Sequence, residues 1–108
     1  MITITKILEF DYGHRVLGHE GKCRNLHGHR GKAEITVTAP ELDTLGRVID
    51  FSVIKQLVGG WIDRVWDHNL LLNDKDPLVD LPLDISGGRN PYIMDSNPTA
   101  EKMADVLF

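Results

Sequence analysis

The chain has one cysteine, Cys23, in 108 residues. An internal disulfide is excluded, and such cysteine usage fits the reducing cytoplasm, the expected location. No apolar run approaches the roughly 20 residues of a membrane span. The opening Met1-Ile2-Thr3-Ile4-Thr5-Lys6 alternates and soon reaches charge, unlike the apolar stretch of a secretory leader. No block of like charge marks a tail or a membrane patch, and the net charge of −4 argues against non-specific nucleic-acid binding. Neither a membrane nor a nucleic acid is therefore an expected partner. Internal repeats and low-complexity segments are also missing. What remains is an ordinary globular composition, 42% hydrophobic and 26% charged, at the length of one domain. A domain this small buries roughly two-thirds of its unfolded surface, so self-association would add stability.

Residues 2–10, ITITKILEF, are rich in β-branched residues and begin with strict alternation, which predicts a strand. Residues 32–39, KAEITVTA, place Ala33, Ile35 and Val37 on one side and predict a second strand, antiparallel to the first. Between them, residues 11–31 are expected to form a long loop or irregular strand ends. Asp50 is placed to N-cap a helix from Phe51 to about Trp66. Phe51, Ile54, Leu57, Val58, Trp61, Ile62 and Val65 form an apolar stripe at helical spacing. Gly59-Gly60 inside that helix marks a kink or a close backbone approach. Residues 74–97, with Pro77, Pro82, Gly87-Gly88 and Pro91, are loop-like. Asn97-Pro98 is expected to open a second helix, Asn as N-cap and Pro at the first helical position, with Ala100, Met103, Ala104 and Leu107 on its apolar face. Val106-Leu107-Phe108 falls inside that helix without a cap, and two strands with two helices make a poor core. The single domain over 1–108 is therefore expected to continue further, or to be completed by another chain.

The chemistry concentrates between residues 14 and 29. His27 and His29, separated by one residue, point to the same side of an extended backbone. His14, from a neighbouring strand, completes a three-histidine set that leaves one position open on a tetrahedral zinc, as a catalytic site requires. A lone histidine is more often a solvated or hydrogen-bonded residue, and His19, without partner spacing, is read that way. Cys23 by itself would be a small buried hydrophobe. In a polar, histidine-rich loop, a nearby dication or imidazolium instead favours the thiolate and a role as base or nucleophile. Asp67-His68 follows the first helix. It is either a C-terminal histidine on the helix dipole or a proton-transfer pair biased by its carboxylate. Thr99 and Glu101 read by themselves as first-turn residues of the second helix.

In order along the chain, Phe10-Asp11-Tyr12-Gly13-His14-Arg15 resembles an F-x-A-A-H-R/K-L opening. It is followed by Cys23-x3-His27-Gly28-His29 and by Gly46-Arg47-Val48-Ile49-Asp50-Phe51. Asp67-His68 with Leu72-Asn73 resembles D-H-x-x-L-N with one extra residue, and Pro98-Thr99-Ala100-Glu101 matches P-T-x-E. The set resembles the 6-pyruvoyl-tetrahydropterin synthase superfamily, and by its Cys-to-His spacing the 6-carboxy-tetrahydropterin synthase branch of the queuosine pathway. Two features depart from that pattern: Gly31 stands where the family usually has an aromatic residue, and the 74–97 segment is long.

The resemblance implies an α+β T-fold, an antiparallel sheet with a helix pair between strands 2 and 3, that closes into homo-oligomers. The family's third and fourth strands, and a late pterin-anchoring glutamate, have no counterpart in the sequence. It further implies zinc on His14, His27 and His29, catalysis by Cys23, Asp67 and His68, and a pterin contact from Thr99. The implied reaction converts 7,8-dihydroneopterin triphosphate to 6-carboxytetrahydropterin, acetaldehyde and triphosphate. Two alternatives follow from the same resemblance: a triphosphate-eliminating synthase that makes 6-pyruvoyl-tetrahydropterin, and a non-catalytic zinc- or pterin-binding T-fold protein.

Overall fold

The computed structural model describes residues 1–81 and 90–108. Its frame is a long hairpin, β1 (Ile2–His14) paired antiparallel with β2 (His27–Ala39). The register sets Ile2 against Ala39 at one end and His14 against His27 at the other. Strand alternation then sorts the side chains. Leu8, Phe10, Tyr12 and His14 share a covered face with His27, Gly31, Ala33, Ile35 and Val37, while the opposite face is exposed. On that exposed face Thr3 meets Thr38 at 3.1 Å and Thr5 meets Thr36 at 3.0 Å through their hydroxyls.

Both strands are longer than their alternation predicts, and the loop expected over 11–31 shrinks to residues 15–26. Two causes act together. Gly13 and Gly28, poor strand formers alone, lie directly opposite one another, so the ladder continues through them. On the other edge of β1, a short strand β3 (Asn69–Asn73) pairs parallel with Tyr12–His14 and fixes that end. A fourth strand, β4 (Tyr92–Met94), pairs parallel with β3, giving the order β2-β1-β3-β4. The sheet is therefore mixed rather than wholly antiparallel. The run Asn69-Leu70-Leu71-Leu72 is buried throughout and shows no alternation, so its strand character is not visible by period.

Asp50 caps the first helix as expected, accepting from Ser52 N at 2.8 Å. The helix runs as α-helical Phe51–Ile54, π-helical Lys55–Gly59 and α-helical Gly60–Val65. The widened turn breaks the 3.6-residue stripe. Ile54 and Ile62 are buried and Val58, Trp61 and Val65 pack on the core, but Phe51 and Leu57 are exposed. Gly59 is buried against the Leu8 side chain of β1, but a Cβ built on it would meet that side chain at 3.5 Å, an ordinary contact, rather than the close backbone approach expected from the sequence.

The second helix, Ala100–Leu107, is capped by Thr99, whose hydroxyl accepts from Lys102 N, and not by Asn97. β3 and β4 lie between the two helices, so they do not form an uninterrupted pair after the second strand. Within the 74–97 segment the described part is ordered into a 3-10 turn, Pro77–Asp80, and β4. The Pro82 and Gly87-Gly88 part of the loop reading lies outside the described residues. The core gathers Phe10, Ile62, Trp66, Leu71 and Met103, where the hairpin's covered face meets both helices and β3.

Candidate metal centre

Three imidazoles converge at the end of the hairpin. His14 and His27 are cross-strand partners, and His29 follows two residues along β2, opposite Tyr12. Ring centroids lie 4.6 Å apart for His14–His27, 4.7 Å for His27–His29 and 5.1 Å for His14–His29. One nitrogen from each ring lies within 4.8 Å of the other two. His14 is buried, His27 half-buried and His29 exposed, so the centre opens to one side.

Two of the rings are oriented by backbone carbonyls. The Nδ1 of His14 is 2.6 Å from Pro98 O, and the Nδ1 of His27 is 2.6 Å from Asn25 O. A carbonyl only accepts, so each Nδ1 carries the proton and each Nε2 keeps its lone pair. Those Nε2 atoms are buried without a hydrogen-bond partner. A buried imidazole lone pair left unpaired is unfavourable, and it is satisfied by a cation or by a hydrogen-bond donor such as water. Burial pushes the pKa of His14 below its ordinary 6.5; the Pro98 hydrogen bond opposes this, and His27 and His29 act with burial. The neutral, ligating form is thereby favoured. The donor set fits a metal ion bound by three neutral imidazoles.

Cys23 lies in the 3-10 turn Lys22–Arg24 of the connecting loop, half-buried, and it joins neither metal-competent grouping among the described residues. Its carbonyl accepts from Val16 N at 2.8 Å and closes the loop between β1 and β2. His19 accepts from Gly21 N and stays outside the cluster.

Asp67 and His68 make a second group with Asp11. Asp67 Oδ2 lies 2.9 Å from His68 Nδ1, and Asp67 Oδ1 accepts from Asp11 N at 2.9 Å. His68 has φ 56°, a left-handed conformation uncommon outside glycine. Its N–H donates to Asp11 O at 2.6 Å, which holds the turn from helix to β3. The His68 ring is exposed and lies by the Asp11 carboxylate, which alternation puts on the face opposite His14 and His29. The structure thus brings the three histidines together, and Asp67 with His68, as two separate sets. Thr99 lies next to Pro98, its hydroxyl serving as helix cap.

A groove of about 870 Å³ runs from His14 and His29 past Tyr12, Phe10 and Trp66 to Met103. Tyr12 packs against both histidines, with ring centroids 5.1 Å from His14 and 5.8 Å from His29. Gly31 is explained here: a Cβ built on it would lie 2.6 Å from the Phe10 ring, which occupies the space over that glycine. Sequence reasoning missed Tyr12 and the two orienting carbonyls. Alternation with His14 would have found Tyr12; the carbonyls leave no residue-type signal.

A sheet end carrying three converging imidazoles, two of them with buried unpartnered Nε2 atoms, beside a groove lined largely by apolar side chains, is a candidate metal site of the open, three-histidine kind. The model of the family described as 6-pyruvoyl tetrahydropterin synthase matches residues 3–108. A 6-carboxy-5,6,7,8-tetrahydropterin synthase of Rickettsia bellii is 45% identical over 104 residues, covering 96% of this chain and 75% of the relative. A protein of the same name from Rickettsia typhi is 46% identical over 104 residues, with the same coverage. The crystal structure of an uncharacterized protein from Wolinella succinogenes superposes with a TM-score of 0.81 at 26% identity, covering 98% of this chain and 80% of that one. This chain belongs to the 6-pyruvoyl tetrahydropterin synthase family, and its α+β architecture is of the T-fold class.

Proposed function

We propose that this chain is a zinc-dependent 6-carboxy-5,6,7,8-tetrahydropterin synthase, a lyase acting in the cytoplasm on 7,8-dihydroneopterin triphosphate. One observation carries the reading: three imidazoles converge with two buried, unpartnered Nε2 atoms. The shared name of the rickettsial relatives supports the choice of product. His14, His27 and His29 are the proposed metal ligands. Zinc held there would act as a Lewis acid toward the substrate's side-chain hydroxyls.

The chain's own groups supply the proton movements. Cys23, as thiolate, takes a proton from the side chain of the substrate. His68, oriented by Asp67, serves as the partner acid or base, its Nδ1 held so that the other ring nitrogen exchanges protons. Moving protons from side chain to ring reduces the dihydropterin while the side chain is oxidised and cleaved. With one water consumed, the products are 6-carboxytetrahydropterin, acetaldehyde and triphosphate, and no external redox cofactor enters. Thr99 beside Pro98 is the proposed pterin contact, and the groove past Tyr12 accommodates an aromatic ring.

Because His68 belongs to the face opposite His14 and His29, we place the complete site in a homo-oligomer, where a second copy supplies the Asp67-His68 pair. The product mass tests the reaction. Purified protein with zinc and 7,8-dihydroneopterin triphosphate should yield 6-carboxytetrahydropterin. A 6-pyruvoyl product would assign the triphosphate-eliminating reaction, and bound zinc with unchanged substrate would mark a non-catalytic protein.

A further inference from the structure

The carbonyl that orients His14 belongs to a segment fixed by one side chain. Asn97 precedes Pro98, and its amide bonds in both directions to the backbone of Leu17. Leu17 N donates to Asn97 Oδ1 at 3.0 Å, and Asn97 Nδ2 donates to Leu17 O at 3.0 Å. Asn73, at the end of β3, adds a donation from Nδ2 to the same Oδ1 at 3.0 Å. Leu17 stands three residues after His14. The loop leaving His14 is therefore tied to residue 97, and the carbonyl of residue 98 returns to His14 Nδ1 at 2.6 Å.

Several features point the same way. Pro98 is fully buried and has no N–H, so its carbonyl is the one backbone group it places by hydrogen bonding. The second helix is capped by Thr99, so the Asn97 amide is not engaged in capping. An amide offers a donor and an acceptor at fixed spacing, matching the N–H and C=O of one residue, and few side chains do so.

We infer that Asn97 is a positioning residue for the metal centre. It holds the Pro98 carbonyl against His14 Nδ1, which keeps His14 in the Nδ1–H tautomer and directs Nε2 into the site. The inference rests on the three-histidine metal reading above. Its test uses zinc alone, with no turnover. Zinc dissociation constants of the wild type, Asn97→Ala and Asn97→Asp are measured by competition with a chromophoric chelator. Metal-free samples of each are examined by thermal unfolding and by ¹⁵N NMR of the imidazoles.

Loss of the hydrogen-bond partner of a ligating histidine, here the Pro98 carbonyl once Asn97 no longer holds it, weakens metal binding by up to roughly 10–100-fold. That loss is expected in folded Asn97→Ala, with the His14 ring passing from one tautomer to a mixture. His27, held by Asn25 O, should keep its tautomer. A merely structural role would lower the unfolding temperature and leave both the tautomer and the affinity of the folded protein unchanged; that result overturns the inference and spares the metal reading. Absence of zinc binding in the wild type overturns both. Should Asn97→Ala not fold, Asn97→Asp decides by the same readouts, since it keeps the acceptor for Leu17 N and loses the donor to Leu17 O.

Discussion

His14 and His27 each meet a backbone carbonyl with one ring nitrogen and leave the other buried and unpartnered. Two residue-scale predictions follow. His27→Ala should abolish stoichiometric zinc, as measured by elemental analysis of dialysed protein, and retained metal would reject the ligand assignment. Cys23→Ala should keep the metal and lose turnover. Gly31 gives a third, on stability. A methyl there would lie 2.6 Å from the Phe10 ring, so Gly31→Ala should destabilise by about 1–3 kcal/mol through overpacking; an unchanged melting temperature would contradict that packing. At this scale the sequence was legible where residue type carries the chemistry. The H-x-H spacing named two of the three histidines that converge, and strand alternation placed them on one side. It was silent where main chain does the work: nothing in the letters Asn25 or Pro98 announces a carbonyl aimed at an imidazole. Asn97 before a proline reads as a helix cap, yet the cap is Thr99, which is itself extended, and the helix begins only at Ala100.

Among the elements, the hairpin is specified by its alternating residues, and the first helix by its Asp50 cap and apolar stripe. β3 escaped because its leucines are buried throughout, and the π-turn escaped because it alters period without altering composition. Gly59 lies in that turn with helical dihedrals, and a Cβ there would meet Leu8 at 3.5 Å, an ordinary contact. Gly59→Ala should therefore stabilise by about 0.5–1 kcal/mol, measurable by urea unfolding. The loop after β1 is also tied to the 3-10 turn at Pro77–Asp80. Arg15 forms a forked ion pair with Asp76, whose side chain is fully buried and also accepts from Leu78 N at 2.9 Å. The Arg15 hydrogen bonds hold the Asp76 carboxyl below its ordinary 3.8, against the opposing effect of burial. A folded-state pKa below the unfolded one gives stability that is present above about pH 4 and lost as pH falls through the folded value. Wild-type stability should drop in that acid window, and Asp76→Asn should flatten the drop while costing roughly 2–3 kcal/mol near neutrality. An identical acid profile in the variant would remove Asp76 from this role.

For the whole molecule, the three histidines and the Asp67-His68 pair belong to opposite faces of the sheet. If a second copy completes the site, mixing inactive Cys23→Ala with inactive His68→Ala should restore activity after subunit exchange. Mixtures that stay inactive would place both residues in one protomer's site. Composition and cysteine count set the class of molecule, and the ordered motifs led to the family; the placement of the two sets of side chains on opposite faces depended on register, which no single motif carries. The most direct measurement is acetaldehyde release per bound zinc on adding 7,8-dihydroneopterin triphosphate. Catalytic acetaldehyde from the wild type and none from metal-free His27→Ala is the predicted result. Equal release from the two would contradict a reaction centred on the three histidines.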